Sequence, residues 1–81
     1  MVSEMDDPIT VGAVFSRAEL KPVWFSWHGR QIRIRETAYS WKKREGNTVI
    51  LHFSVTDGRG VYELKYNKDS MVWRIVGCEA V

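Results

Sequence analysis

The side chains that could act as nucleophiles or general bases in this sequence are few, and none has a partner at a useful spacing. Cys78 is the only cysteine, and an acid, Glu79, follows it directly. Because thiols become reactive when basic neighbours favour the thiolate, Cys78 is predicted to be a partly buried structural residue. His28 is predicted at a hairpin turn and His52 on a polar strand face. The sequence therefore predicts no catalytic residue and no enzyme activity.

Ligands for a metal ion or a bound phosphate are equally hard to find. The two histidines and the single cysteine are far apart in the chain and match no zinc-binding spacing. The run from Asp57 to Gly60 contains two glycines but lacks the Lys-Ser/Thr ending and the following helix of a phosphate-binding loop. We interpret it as a hairpin turn in which Asp57 accepts hydrogen bonds from the turn backbone. No metal and no cofactor are predicted.

Positive charge is concentrated in the middle of the chain. All 12 lysines and arginines lie between Arg17 and Arg74, although the whole chain has a net charge of only +2. The stretch from Arg30 to Arg44 contains six basic residues and a single acid, Glu36. Such an asymmetry is typical of a surface that meets an anionic partner, but solvated β-sheet surfaces also collect lysine and arginine.

Strand alternation predicts which of these basic side chains face outward. Ile32 and Ile34 share one face of the predicted strand 30–36, so Arg33 and Arg35 share the other face. Cations that neutralise phosphates, beside an outward aromatic ring that stacks on bases, are typical of single-stranded nucleic-acid binding. The predicted nucleic-acid-binding residues are Trp24, Arg33, Arg35, Lys42, Lys43, Arg44 and Arg74, with His52 and Lys65 on the same predicted stripe.

Other interpretations of the same residues remain open. Arg33 and Arg35 can pair with Glu36 or Glu63 across strands and bind nothing, and Trp24 can belong to the core of a closed barrel. Lysine and arginine also protect sheet edges from aggregation. A protein-interaction or self-associating module is the alternative function, because an open edge beside an aromatic strand can accept a strand from a partner.

The elements that must position these residues are predicted to be β-strands. Residues 1–8 are polar and acidic and are predicted to form a disordered leader, and residues 9–81 are predicted to form one all-β domain. A short helical turn over 17–20 and a break at Pro22 are expected before a hairpin with its turn at His28-Gly29. The predicted strands cover about 9–16, 23–27, 30–36 with a bent continuation over 37–44, 48–56, 61–66 and 71–76.

A sheet of this kind must curl to hide its apolar face. The predicted fold is therefore a small antiparallel meander of five to six strands, curled into a partly open barrel of the SH3-like or OB-like kind. Four tryptophans, three tyrosines and three phenylalanines supply an aromatic core for a chain of only 81 residues. The acidic start, the lone cysteine and the lack of a long apolar run predict a cytoplasmic protein without a membrane partner.

Several short motifs resemble a family of small bacterial all-β domains of uncharacterised function. They are the aromatic hairpin from Pro22 to Arg30, Ile32 and Ile34, Trp41, the run Tyr62-Glu63-Leu64 and the closing Trp73-Arg74-Ile75. The resemblance covers about residues 21–76, with Gly29 and Arg30 as its most distinctive positions. Some members of that family are encoded near Y-family translesion DNA polymerases or fused to them. The resemblance implies an all-β fold and a DNA-repair setting, and it supplies no catalytic residue.

Overall fold

Seven β-strands joined by short turns make up the described part of the chain. The structure is a computed structural model that describes the backbone of residues 3–80 and the side chains of residues 5–79. The strands are β1 (Ser3–Ser16), β2 (Glu19–Trp27), β3 (Arg30–Arg33), β4 (Glu36–Glu45), β5 (Thr48–Thr56), β6 (Gly60–Asn67) and β7 (Val72–Ala80). The predicted all-β class is confirmed, whereas the predicted count of five to six strands is too low by at least one.

All of the strands in residues 3–80 belong to one antiparallel sheet, in the order β3-β2-β1-β7-β6-β5-β4. Strands that follow one another in sequence are paired, except β3 and β4, and the pairing of β1 with β7 joins the beginning of the described chain to its end. A ring of seven strands would be complete if β3 also paired with β4, but these two strands are the edges. The result is a meander curled into a half-barrel with one open side.

The core lies on the concave side of the half-barrel. Phe25, Val55, Leu64 and Ile75 are completely buried, and each follows the alternation expected of its strand. Aromatic rings extend this core, since the rings of Phe25 and Tyr62 meet edge to face at 5.2 Å. Burying an aliphatic or aromatic side chain of this size contributes about 1.5–3 kcal/mol, so these few residues dominate the stability of a short chain.

The predicted disordered leader differs from the structure, in which Ser3–Pro8 is part of β1. Ser3 lies opposite Cys78, and Ile9 lies opposite Trp73. The half-buried side chain of Met5 packs against the core, so pairing and burial order a segment whose polar composition alone predicts disorder. Met1 and Val2 lie outside the described residues.

Two predictions about the first hairpin are also wrong. Arg17 and Ala18 have φ values of 51° and 63° and form a two-residue hairpin turn instead of a helical turn. Pro22 lies inside β2 rather than in a break before it. The register of β1 with β2 shifts beside it, because Gly12 pairs with Trp24 while Ala13 pairs with Pro22. A bulge of this kind is one of the few places where a sheet accommodates proline.

The second hairpin has the predicted turn, but the predicted strand 30–36 with its continuation over 37–44 is two separate strands, β3 and β4, and β3 ends at Arg33. His28 and Gly29 have φ values of 51° and 73° and connect β2 to β3 in the expected two-residue turn. Within residues 3–80 there is no helix long and apolar enough to cross a membrane.

Candidate nucleic-acid interface

The residues predicted to bind nucleic acid lie on separate parts of the half-barrel. Trp24 and Arg33 are directly opposite each other on β2 and β3. Arg35 follows β3 and lies near the β5–β6 turn, where its Nη1 would be 3.1 Å from a Cβ placed on Gly58. Arg74 is on β7, at the other half of the sheet. The structure thus brings only part of the predicted stripe together.

Trp24 lies on the convex face of the sheet, across the backbone of Gly12. The two residues are paired between β1 and β2. A Cβ on Gly12 would be 2.0 Å from Trp24 Nε1 and 2.2 Å from Cε2, so the space that a side chain would occupy is filled by the indole. The ring is half-buried and keeps part of its surface open to solvent. An aromatic ring held across a sheet in this way can stack on a nucleic-acid base.

One cation lies directly beside this tryptophan, and two more lie in the same region of the sheet. Exposed Arg33 is its direct neighbour on the same face, because opposite residues of an antiparallel pair share a face. Lys21 lies earlier on β2, and Lys21 and Arg35 both line a cavity of about 360 Å³. We call Lys21, Trp24, Arg33 and Arg35 the Trp24 surface.

In the described part of the chain, ion pairs with acids do not neutralise the arginines of the Trp24 surface. Among the described side chains, neither Arg33 nor Arg35 forms an ion pair with Glu36 or Glu63. Glu36 lines the same cavity as Lys21 and Arg35, and Glu19 lines a neighbouring cavity with Lys21, so the Trp24 surface has three cations and two nearby acids. It therefore retains a net positive charge.

The basic cluster at the end of β4 does not form a single patch. Lys43 is opposite Ile50 on β5, whereas Lys42 and Arg44 are opposite Leu51 and Val49. Since neighbouring residues of a strand point to opposite faces, Lys43 lies on the convex face and the other two point toward the concave side. All three are exposed.

A second row of aromatic and basic groups crosses the other half of the convex face. Trp41, His52, Lys65 and Arg74 are consecutive partners on β4, β5, β6 and β7. We call them the outer row. The indole of Trp41 stacks on the ring of His52 with centroids 5.1 Å apart and planes 6° apart. This is the stripe that strand alternation predicted for His52, Lys65 and Arg74.

Acids offset the charge of the outer row. Asp6 Oδ1 lies 3.3 Å from Arg74 Nη1 and accepts its hydrogen bond. Glu45 lines the same convex hollow of about 330 Å³ as Lys65 and Arg74, and Glu63 is on β6 two residues from Lys65. The two cations of the outer row, Lys65 and Arg74, together with the neighbouring Lys43, are thus matched by three acids. The outer row is therefore a weaker anion site than the Trp24 surface.

His52 is held in its neutral form by its surroundings. Burial lowers the pKa of His52 below its ordinary value, and the charges of Lys65 and Lys43 lower it further. Its Nε2 atom is buried without a hydrogen-bond partner. A neutral imidazole under an indole packs well, but it adds no positive charge to the row at neutral pH.

The β5–β6 turn has the structural role expected for it. Asp57 Oδ1 accepts hydrogen bonds from the backbone N–H groups of Arg59 and Gly60 at 2.8 and 2.9 Å. Burial raises the pKa of Asp57, but these bonds and one from the Tyr62 hydroxyl outweigh it and keep the pKa below its ordinary value.

Cys78 is half-buried, and no group of three or more potential metal ligands occurs among the described residues.

Two residues that shape this site, Lys21 and Gly12, were not predicted to belong to it. Lys21 was overlooked because the predicted break at Pro22 removed it from any strand. Gly12 could have been recognised as a glycine inside an alternating strand, which often marks a bulge or a close approach by another group.

Comparison with known proteins finds no relative for this chain. No protein-family model matches it, and no curated protein and no solved structure is significantly similar to it. The resemblance to the polymerase-associated domains therefore stays a prediction.

Proposed function

We propose that this domain is a non-catalytic module that binds single-stranded nucleic acid through the Trp24 surface. The observation that carries the proposal is the position of the Trp24 indole, which lies across Gly12 and directly beside Arg33. A ring fixed in this way offers a stacking surface, and Arg33, Lys21 and Arg35 supply charges for the phosphates on either side of the stacked base.

The resemblance to domains associated with Y-family DNA polymerases supports DNA as the first probe and a DNA-repair setting for the protein. Sequence specificity is not part of the proposal, because stacking and phosphate contacts accept every base.

The test is fluorescence anisotropy with a labelled deoxythymidine oligomer of about 15 nucleotides, long enough for the site of a small β-domain. Three phosphate contacts predict a slope of about −2 in log affinity against log salt, so affinity should fall about twentyfold between 50 and 200 mM salt. Trp24→Ala should weaken binding by about fivefold or more, the loss expected for one stacked base.

Matched controls come from the other half of the sheet. Trp41→Ala removes a tryptophan that is 43% exposed and lies outside the Trp24 surface. In the same way, Arg74→Ala is the control for Arg33→Ala, because Arg74 lies outside the Trp24 surface. Arg33→Ala should reduce the salt slope by about 0.7, whereas both controls should leave affinity within about twofold of the wild type. Equal losses at Trp24 and Trp41, or no binding at 50 mM salt, would contradict the proposal.

A protein-interaction or self-associating module remains the alternative function. The open side of the half-barrel is the specific feature that favours it.

A further inference from the structure

The open side of the half-barrel is a cleft between β2 and β4. We call it the seam, with Glu19–Pro22 on one side and Thr37–Lys42 on the other. Two cavities of about 420 and 270 Å³ lie in it, and each is lined by residues from both strands. No Cα atom of β2 lies within 8 Å of a Cα atom of β4. Paired strands lie about 4.8 Å apart, so the seam is too wide for β2 and β4 to pair directly.

Both sides of the seam are strand edges. β4 pairs only with β5. On β2, pairing with β3 covers only Trp24–Trp27, and Val23 O accepts a hydrogen bond from Ile34 N. Between residues 19 and 22, therefore, β2 has no strand partner on the seam side within the described chain. An extended polypeptide is the ligand that can hydrogen-bond to backbone groups on both sides at once.

The ends of the seam differ. One end is closed by the link from β3 to β4, where Arg35 N donates a hydrogen bond to Thr56 O. The other end is open beside the Arg17-Ala18 turn. The side from Thr37 to Lys42 is six residues long, which corresponds to roughly 20 Å of extended chain. At its closed end, Thr37 Oγ1 is buried without a hydrogen-bond partner.

Side chains along the seam favour a peptide with alternating apolar and acidic residues. Leu20 and the largely buried Phe53 line both cavities, so alternate residues of an inserted strand would meet apolar side chains. The charged residues that line the seam and its closed end are four cations and two acids, namely Arg17, Lys21, Arg35 and Lys42 against Glu19 and Glu36.

We infer that the seam is a binding site for an extended, acidic segment of a partner polypeptide, which enters as an eighth strand and completes the ring of strands. The partner strand pairs with β2 and β4, places apolar side chains over Phe53 on the concave side, and directs acidic side chains to the convex side, toward Lys21. This site does not include the Trp24 ring, although Lys21 and Arg35 border both sites.

The experiment measures binding of a fluorescein-labelled peptide of about eight residues that alternates valine and glutamate, since six to eight residues span the seam. We expect saturable binding below about 100 µM. Hydrogen exchange should slow at the amides of β4 and of Glu19–Lys21 when the peptide is present. The same peptide with lysine in place of glutamate is the charge control and should bind at least about tenfold more weakly.

Variants then locate the site. Ser40→Trp places a large side chain in both cavities and should abolish binding, while Gln31→Trp, an exposed position on β3, should not. Lys21→Glu should weaken binding of the acidic peptide several-fold, and Lys68→Glu in the β6–β7 turn should leave it unchanged.

Several results would overturn the inference. They are no peptide binding, equal binding of the lysine peptide, or binding that Ser40→Trp leaves intact. A dimer in light scattering that Ser40→Trp converts to a monomer would show that a second copy fills the seam instead. The oligonucleotide provides a last check. If it competes with the peptide, and if its own binding is lost in Ser40→Trp but kept in Trp24→Ala, the seam binds nucleic acid instead.

Discussion

Gly12→Ala provides the sharpest test of how Trp24 is held. The new Cβ would lie 2.0–2.7 Å from three atoms of the indole, where ordinary contacts are 3.4 Å or longer. The ring must therefore move by at least about 1.4 Å or leave its place on the sheet. Overpacking of this kind costs about 1–3 kcal/mol, while replacing a strand glycine by alanine returns about 0.5–1 kcal/mol. We expect a net loss of up to about 2.5 kcal/mol, which corresponds to a fall in Tm of up to about 20 °C for a domain of this size.

A double-mutant cycle in urea denaturation measures the coupling free energy between Gly12 and Trp24. In a Trp24→Ala background the added methyl group meets no indole, so Gly12→Ala should become neutral or stabilise the protein by up to about 1 kcal/mol. The coupling free energy between the two positions should then be about 1–3 kcal/mol. Two changes that add within about 0.5 kcal/mol would show that the indole does not rest on Gly12.

The same variant links stability to function. Gly12 carries no charge and makes no contact with a phosphate in the proposed complex. If Trp24 must lie across the sheet to stack on a base, Gly12→Ala should weaken oligonucleotide binding about as much as Trp24→Ala. Wild-type affinity in a folded Gly12→Ala protein would refute the proposed role of the ring.

Two further predictions concern the stability of the fold. Leu64→Ala empties a completely buried position and should lower the free energy of unfolding in urea by about 2–5 kcal/mol; a loss below about 1 kcal/mol would place Leu64 outside the core. Because burial and neighbouring lysines lower the pKa of His52, the folded protein binds this proton less readily than the unfolded chain. Its contribution to stability is complete above the unfolded value of about 6.5 and is lost as the pH falls below it. Unfolding measured at pH 7.5 and 5.5 should show this loss in the wild type and a smaller one in His52→Gln, and equal losses in both would argue against it.

Much of the Trp24 surface follows from local sequence. A two-residue turn at His28-Gly29 fixes the register of β2 with β3, and counting back from it places Trp24 opposite Arg33. The same alternation separates Lys43 from Lys42 and Arg44. Because successive side chains of a strand point to opposite faces, the sequence already predicts that these three cations do not share one face.

Other features depend on contacts between distant parts of the chain. Residues 3–8 are ordered because they pair with β7. The acids and the proline of this segment do not predict that pairing, since β7 is about 70 residues away in the chain. The approach of Trp24 to Gly12 requires the bulge beside Pro22, which shifts the register of β1 by one residue.

The sequence by itself determined an all-β chain, its turns and the face on which most side chains lie, because alternation and turn chemistry act between residues that are close along the chain. Only the tertiary structure decided which cations meet. Pairing of β1 with β7 curls the sheet, leaves β3 and β4 as edges, and separates Arg33 from Arg74 while Asp6 offsets the charge of the latter. The seam exists for the same reason, since the width left between two edges depends on the twist and pairing of all seven described strands together.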